Sequence, residues 1–234
     1  MMDDLTAINL RHSRRAYTSE PISLDLACKL HDFTEEINKE AGINFRLITN
    51  NGDAFNGILK TYGVFTGVRN YFVMVTKKDN RQNQIASGYY GEKIVLFCTK
   101  LGLNTCWVGG CFDRKSCPVD LAEDEEILCA ITVGYSPKKT TIQENLLKII
   151  ITSKSKKPEE LYESESGSNV PEWFMSGIAA VVHAPSTYNR QPVKFVYRRD
   201  GTVSALITQE DKTSGVDLGV AKLHFELGSG KRFA

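Results

Sequence analysis

Hydrophobic residues recur at helical spacing in five stretches of the chain, and capping residues bound several of them. Ser23 is a suitable N-cap for the second stretch, and Gly42 is placed to end it. The third stretch is the longest, is apolar enough in its second half to be central, and is followed by Gly102. We therefore predict helices at residues 4–11, 24–41, 82–100, 171–182 and 215–227.

Short runs rich in β-branched and aromatic residues alternate with these helices. One run, at 127–133, is apolar throughout, which is typical of a strand buried on both faces. The last two runs flank Asp200-Gly201, a strong hairpin signal. We predict strands at residues 44–49, 71–76, 105–108, 127–133, 193–199 and 203–208. Helices alternating with strands and a closing hairpin predict the α+β class, with a mixed sheet covered by helices.

Composition narrows the possible partners of the chain. Its 234 residues include 29 Lys and Arg and 28 Asp and Glu, so a net charge of +1 favours neither nucleic acid nor an anionic membrane. No stretch approaches the ~18 apolar residues of a membrane helix, and the acidic N-terminus is unlike a secretory signal, so we expect a cytoplasmic protein. The six cysteines form no Cys-x-x-Cys pair, so we expect free thiols and no metal site.

A basic cluster follows the first predicted helix. Arg11, Ser13 and Arg15 alternate, so in an extended segment their side chains would point the same way. Two guanidiniums and a hydroxyl at this spacing can hold a phosphate. From the spacing alone, a solvated turn between two helices is the alternative.

A second candidate segment spans residues 183–192, between an apolar helix and the hairpin. Ser186 and Asn189 can offer neutral hydrogen bonds to a heterocycle, while the prolines stiffen the loop. The alternative is an elaborate turn in which Ser186 acts as an N-cap.

The third segment, residues 102–110, ends a short strand at Gly109-Gly110, where backbone amides can approach a ligand closely. Trp107 could form the wall of an aromatic pocket, and a bulged strand end with a core tryptophan is the alternative. Neither a Gly-x-Gly-x-x-Gly nor a Gly-Lys-Ser loop occurs, which argues against a Rossmann or P-loop site. No catalytic triad is recognisable, and we predict no catalytic side chain.

Taken together, these segments resemble the nitroreductase family of FMN proteins. Residues 11–17 match its Arg-x-Ser-x-Arg cluster, and 184–192 match its Ala-Pro-Ser-x-x-Asn-x-Gln-Pro motif. Residues 101–109 match Leu-Gly-Leu-x-x-Cys-Trp-x-Gly, and 133–135 match a strand ending Val-Gly-Tyr. In most of the family the Ala-Pro-Ser motif precedes the central helix. Its C-terminal position here resembles a smaller nitroreductase subfamily.

The displaced motif suggests a domain hypothesis. The family's flavin lies at a dimer interface, with the basic cluster from one subunit and the Ala-Pro-Ser motif from the other. We therefore expect residues 1–150 to form a nitroreductase-like lobe around the central helix. Residues 165–234 would form a reduced, pseudo-symmetric partner lobe, and 151–164 would connect the two. The protein would be a homodimer, or a single chain that mimics the family dimer.

The resemblance also implies a cofactor site. Arg11 and Ser13 would hold the phosphate or ribityl chain of FMN, and Arg15 would lie near the N1–C2 edge of the ring. The resemblance also assigns other residues to cofactor binding: His12, Trp107, Val108, Gly109, Gly110, Pro185, Ser186 and Asn189. Lys138 and Lys139 are weaker candidates for binding the phosphate.

The implied activity is that of an FMN-dependent oxidoreductase. NADH or NADPH would donate a hydride to flavin N5, and a nitroaromatic, quinone or similar small acceptor would receive it. A different flavin chemistry on the same scaffold, such as dehalogenation or azoline oxidation, is one alternative. A non-catalytic FMN-binding or sensor protein is another.

Overall fold

The first part of the chain builds a four-stranded sheet and the helices that cover it. The computed structural model describes residues 2–57, 64–151, 154–165, 167 and 170–233, apart from the side chains of residues 148, 150 and 151. The elements of this part are α1 (Asp4–Leu10), α2 (Leu24–Ala41), β1 (Asn44–Ile48), β2 (Asn70–Lys77), α3 (Arg81–Lys100), β3 (Asn104–Val108), β4 (Glu125–Gly134) and α4 (Ile142–Ile151). The strand order is β1-β2-β4-β3, and all neighbours are antiparallel.

The second part builds a smaller, three-stranded sheet. Its strand order is β5-β6-β7, with β5 parallel to β6 and β6 antiparallel to β7. The elements of this part are β5 (Tyr162–Ser164), α5 (Glu172–Val181), β6 (Val193–Tyr197), β7 (Val203–Ile207) and α6 (Ser214–Ser229). No helix among the described residues is long and apolar enough to cross a bilayer.

The four-stranded sheet is buried on both faces. Along β2, Phe72 and Met74 join the core formed with α2 and α3, whereas Tyr71 and Val73 join the core on the opposite face. Strands buried in this way read as continuous apolar runs, as β2 and β4 do. The three-stranded sheet has its own core, to which α5 and α6 contribute.

The two parts share one pattern of elements. A helix, two antiparallel strands and a closing helix follow one another as α2-β1-β2-α3 and again as α5-β6-β7-α6. The loops after the first helix differ: only residues 42 and 43 separate α2 from β1, whereas residues 182–192 separate α5 from β6. The Ala-Pro-Ser motif lies in the longer of these two loops.

The two closing helices, α3 and α6, pack at unusually close range. A Cβ added to Gly88 would lie 2.0 Å from the Val216 carbonyl oxygen, and one added to Gly219 would lie 1.9 Å from that of Ile85. Both contacts are with backbone atoms, which cannot rotate away as a side chain can. Glycine is therefore required on each helix for this crossing.

The predicted class and elements are confirmed, with two differences. The mixed α+β fold is present, all five predicted helices form, and Ser23 and Gly42 cap α2 as expected. Helix α4 was not predicted. The predicted connecting segment, 151–164, contains β5, which pairs with β6. Leu161, just before β5, is fully buried in the second core, which places this polar stretch against the sheet.

We predict that Gly88→Ala and Gly219→Ala each lower the free energy of unfolding by roughly 1–3 kcal/mol or more, the usual cost of overpacking. Alanine is the better helix former, so a loss must come from the helix crossing. Urea titration followed by circular dichroism measures it. Gly110→Ala is the control, because an added Cβ there meets nothing within 4 Å. Unchanged stability in both helix variants would contradict the crossing.

Candidate functional site

The basic cluster forms an added edge on the four-stranded sheet. Ser13 makes a parallel bridge with Thr105 of β3, and the Arg14 amide donates to the Thr105 carbonyl at 3.0 Å. Ala16 makes a second bridge, with Thr66. The segment is therefore extended, and the expected alternation of its side chains is realised.

Arg14 points into the protein and fixes the segment. Its guanidinium donates to both carboxylate oxygens of Glu144 on α4, at 3.0 and 3.2 Å, and to the Pro137 carbonyl at 2.9 Å. Glu144 also accepts from the backbone amides of Arg15 and Ala16. Burial alone would raise the pKa of Glu144, but these hydrogen bonds outweigh burial and lower it to about 2.

The alternate residues act on a common neighbour, the buried thiol of Cys106 on β3. Burial raises the pKa of Cys106, whereas the charges of Arg15 and Arg11 and a hydrogen bond with Ser13 lower it. The Arg11 guanidinium also donates weakly to the Ser13 hydroxyl, at 3.4 Å. All three side chains of the basic cluster therefore act on the same thiol of β3.

Arg11 also belongs to a buried polar network centred on Glu92 of α3. Glu92 has no exposed surface, and its Oε2 accepts from the Trp107 indole nitrogen at 2.8 Å. Its Oε1 lies 3.0 Å from Nε2 of His224 on α6 and 3.9 Å from Nε of Arg11. The basic cluster, Trp107 and both closing helices therefore meet at a single carboxylate.

The Ala-Pro-Ser loop is held in a strained backbone conformation. Tyr188, Asn189 and Gln191 all have positive φ angles, between 46° and 54°, which costs roughly 1–3 kcal/mol for each non-glycine residue. Much of the loop's polar capacity is used internally, since the Ser186 hydroxyl accepts from the Gln191 amide at 2.8 Å. Ser186 makes no N-cap hydrogen bond, so the simple capped turn is not what forms.

Thr213, just before α6, joins this loop to the glycines after β3. Its hydroxyl lies 2.7 Å from that of Thr187, the residue after Ser186. A Cβ added to Gly109 would meet the Thr213 methyl group at 3.3 Å. The second and third candidate segments are therefore neighbours in the folded chain, although about 75 residues separate them in the sequence.

A buried acid lies beneath the Ala-Pro-Ser loop. Asp217 of α6 accepts from the Thr187 amide at 3.1 Å and lines a cavity of about 10 Å³ together with Pro185, Ser186 and Gln191. That volume suits one water molecule and no larger ligand. Burial raises the pKa of Asp217 to about 7, against the lowering effect of the Thr187 amide.

The other predicted site residues have mixed placements. Val108 is buried at the end of β3, and the space around Gly110 is open. His12, Lys138 and Lys139 are exposed. Within the described part of the chain, no contact joins either lysine ammonium group to the other predicted site residues.

The sequence analysis missed several residues of this region, among them Arg14, Glu92, Glu144 and His224, as well as Thr213 and Asp217 beside the Ala-Pro-Ser loop. Glu92 carried one usable signal, because it lies among the apolar positions of the central helix, where a charged residue is costly. His224 carried a similar signal, within the buried helix α6. Arg14 and Glu144 bind each other although 130 residues separate them in the sequence, so no local pattern indicates the pair.

Comparison with known proteins agrees with this architecture. A family model described as "Putative TM nitroreductase" matches residues 4–229. The chain therefore belongs to this nitroreductase-like family, which confirms the predicted family and its class, the oxidoreductases. Among the curated proteins, none matches the sequence.

Solved structures resemble the fold to different extents. A structure described as a putative nitroreductase from Thermotoga maritima has 21% identity and a TM-score of 0.64, and the match covers 97% of this chain and 83% of that one. An FMN-dependent nitroreductase from Clostridium difficile has 18% identity and a TM-score of 0.43, with 60% and 92% covered. A nitroreductase with bound FMN from Bacteroides fragilis has 15% identity and a TM-score of 0.42, with 61% and 92% covered.

We predict that Glu144→Gln destabilises the protein at pH 7 by roughly 2–3 kcal/mol, because it removes the charge that Arg14 pairs with. The folded pKa of Glu144 is depressed from 4.5 to about 2. Its stabilising contribution is therefore present above pH 4.5 and is lost as the pH falls towards 2. Urea unfolding at several pH values measures both effects. Glu20→Gln, at an exposed position, is the control. An equal urea midpoint for wild type and Glu144→Gln at pH 7 would contradict the stabilising role of the Arg14–Glu144 pair.

Asp217→Asn should have the opposite pH signature. In the folded protein the pKa of Asp217 is raised from 3.8 to about 7. The stabilisation that Asp217 contributes to the fold is therefore fully present below pH 3.8 and is lost as the pH rises through 7. The asparagine variant should gain stability relative to wild type over that range. Urea unfolding from pH 4 to 8 tests this, with the exposed Asp25→Asn as control. A stability difference independent of pH would refute it.

Proposed function

We propose that this protein is an FMN-dependent NAD(P)H oxidoreductase that reduces small acceptors such as quinones or nitroaromatics. The observation that carries the proposal is the extended edge at residues 11–15, which aligns Arg11, Ser13 and Arg15 beside β3. Strand β3 leads into Gly109 and Gly110, and Thr213, which contacts Thr187 of the Ala-Pro-Ser loop, lies beside Gly109.

The residues present fit an anionic, oxygen-rich group. The Nε atom of Arg11 is buried and has no hydrogen-bond partner. Among the described residues, none makes a hydrogen bond or ion pair with the Arg15 guanidinium. Guanidinium donors that make no hydrogen bond match the phosphate and the ring edge of FMN better than they match a neutral ligand.

Each segment has a distinct task in this proposal. Arg11 and Ser13 bind the phosphate or ribityl chain, and Arg15 faces the N1–C2 edge, where a cation stabilises negative charge. The backbone of Gly109 and Gly110, together with Trp107, would hold the flavin ring. Pro185, Ser186 and Asn189 would also contribute to holding it, and His12, Val108, Lys138 and Lys139 would be peripheral. The chemistry that bound FMN supplies is two-electron transfer between a nicotinamide donor and the acceptor.

A single chain would supply both sides of the site. The repeated order of helix, two strands and helix supports residues 1–150 and 165–234 as two pseudo-symmetric lobes. The Ala-Pro-Ser loop follows the first helix of the second repeat, whereas the equivalent loop of the first repeat is reduced to residues 42 and 43. We therefore propose one FMN per chain, without a requirement for a partner subunit. The four buried free thiols are consistent with a cytoplasmic location.

The colour and turnover of the purified protein test the proposal. A flavin spectrum, with FMN released on denaturation in a ratio of one per chain, is the expected result. NADH or NADPH should be oxidised steadily when a quinone or nitroaromatic is added. A flavin spectrum without turnover would favour the non-catalytic binding protein, and a colourless chain that does not bind added FMN would overturn both.

We further predict that Arg11→Ala weakens FMN binding by about 1.5–3 kcal/mol, the worth of a charge-assisted hydrogen bond to phosphate. Fluorescence titration of the apoprotein with FMN measures the loss. Arg46→Ala, at an exposed position of β1, is the matched control. An affinity for FMN equal to that of wild type would refute the role of Arg11.

A further inference from the structure

Glu92 and His224 form a buried pair that has no role in the proposed cofactor site. The contacts of this pair determine how many protons it carries. Neither side chain has any exposed surface. Nε2 of His224 lies 3.0 Å from Oε1 of Glu92, and Nδ1 lies 3.1 Å from the carbonyl oxygen of Ala180 on α5. Both ring nitrogens therefore face an oxygen at hydrogen-bond distance, and both contacts are buried.

The partners of the imidazole fix its protons. A carbonyl oxygen can only accept, so Nδ1 must carry a hydrogen. The Ala180 carbonyl also accepts from the His183 amide, which its second lone pair allows. An ionised carboxylate is likewise only an acceptor, so the Nε2 contact needs one further proton. The pair is then either an imidazolium with a carboxylate or a neutral imidazole with a carboxylic acid.

The remaining tautomer is unfavourable in this environment. A neutral imidazole with its hydrogen on Nε2 would satisfy Glu92, but it would turn the Nδ1 lone pair towards the Ala180 carbonyl at 3.1 Å. Two acceptors would then face each other in a buried site, and a buried hydrogen bond would be lost. Both allowed protonation states give the pair a net charge of zero.

We infer that His224 is a positioning residue that keeps the charge of Arg11 available to the anionic end of FMN. This inference rests on the proposed function. Arg11 lies 3.9 Å from Glu92 Oε1 and is the charged group that faces Glu92 from the segment after α1. Trp107 from β3 is uncharged, and α5 contributes a peptide carbonyl. Without the proton on the pair, Glu92 would cancel the charge of Arg11.

Three variants separate this role from simple packing. His224→Gln can still donate to Glu92 but cannot hold a positive charge, so the dissociation constant for FMN should rise roughly tenfold. In Glu92→Gln, neutral His224 accepts from the new amide and the net charge is unchanged, so affinity should stay within about twofold of wild type. The double variant is also neutral and should regain most of the affinity that His224→Gln loses.

The contrast between the two single variants decides the inference. Equal losses in both would indicate packing, and a loss confined to Glu92→Gln would indicate that the carboxylate anchors Arg11; either result overturns the inference. The exposed His31→Gln and Glu36→Gln of α2 are matched controls. Fluorescence titration of each apoprotein with FMN gives the dissociation constants.

A measurement on the unmodified apoprotein covers the case in which the variants do not fold. Nitrogen-15 NMR of the His224 imidazole should show a proton on Nδ1, with either a second proton on Nε2 or an infrared band from a protonated Glu92. A neutral ring protonated only at Nε2 overturns the inference. If the wild type binds no FMN, the proposed function fails and the role in binding fails with it, whereas the NMR result still decides the proton count.

Discussion

The carboxylate of Glu92 imposes the constraint on which the rest of the structure depends. A carboxyl group without exposed surface is strongly destabilising unless other groups satisfy it, and here its partners come from three other parts of the chain. Trp107 donates to it from β3, His224 contacts it from α6, and Arg11 approaches from the segment after α1. These segments must therefore be arranged around the middle of α3. The same arrangement brings the basic cluster to the edge of the sheet.

The close crossing of α3 and α6 makes this network possible. Gly88 and Gly219 let the two backbones touch, and a Cβ added to Gly91 would meet the Trp107 ring at 2.5 Å. Small residues thus bring both helices and the indole near enough for His224 and Trp107 to reach one carboxylate. Stability and the candidate site are consequently coupled, because a change that separates the helices also separates His224 from Glu92, the pair that lies beside Arg11.

The alternation at residues 11–15 shows how far local reasoning reaches. An extended backbone sends Arg11, Ser13 and Arg15 one way and Arg14 the other, and that much followed from spacing. The spacing did not indicate which residues the side chains on each face of the segment would contact. Arg14 finds Glu144 on a helix that the sequence analysis did not predict, and Arg11 finds a buried acid on another. The motif residues were recognisable, whereas the residues that support them were not.

The sequence by itself determined five of the six helices among the described residues and most strands, because periodicity, caps and turn residues act within a few positions. It also determined family membership, through four short motifs. Only the tertiary structure decided that the segment around Ser13 pairs with β3, that β5 joins the second sheet, and that His224 meets Glu92. Those contacts join residues up to 132 positions apart. Their energy depends on burial and on partners that exist only once the chain is packed, so no local pattern encodes them.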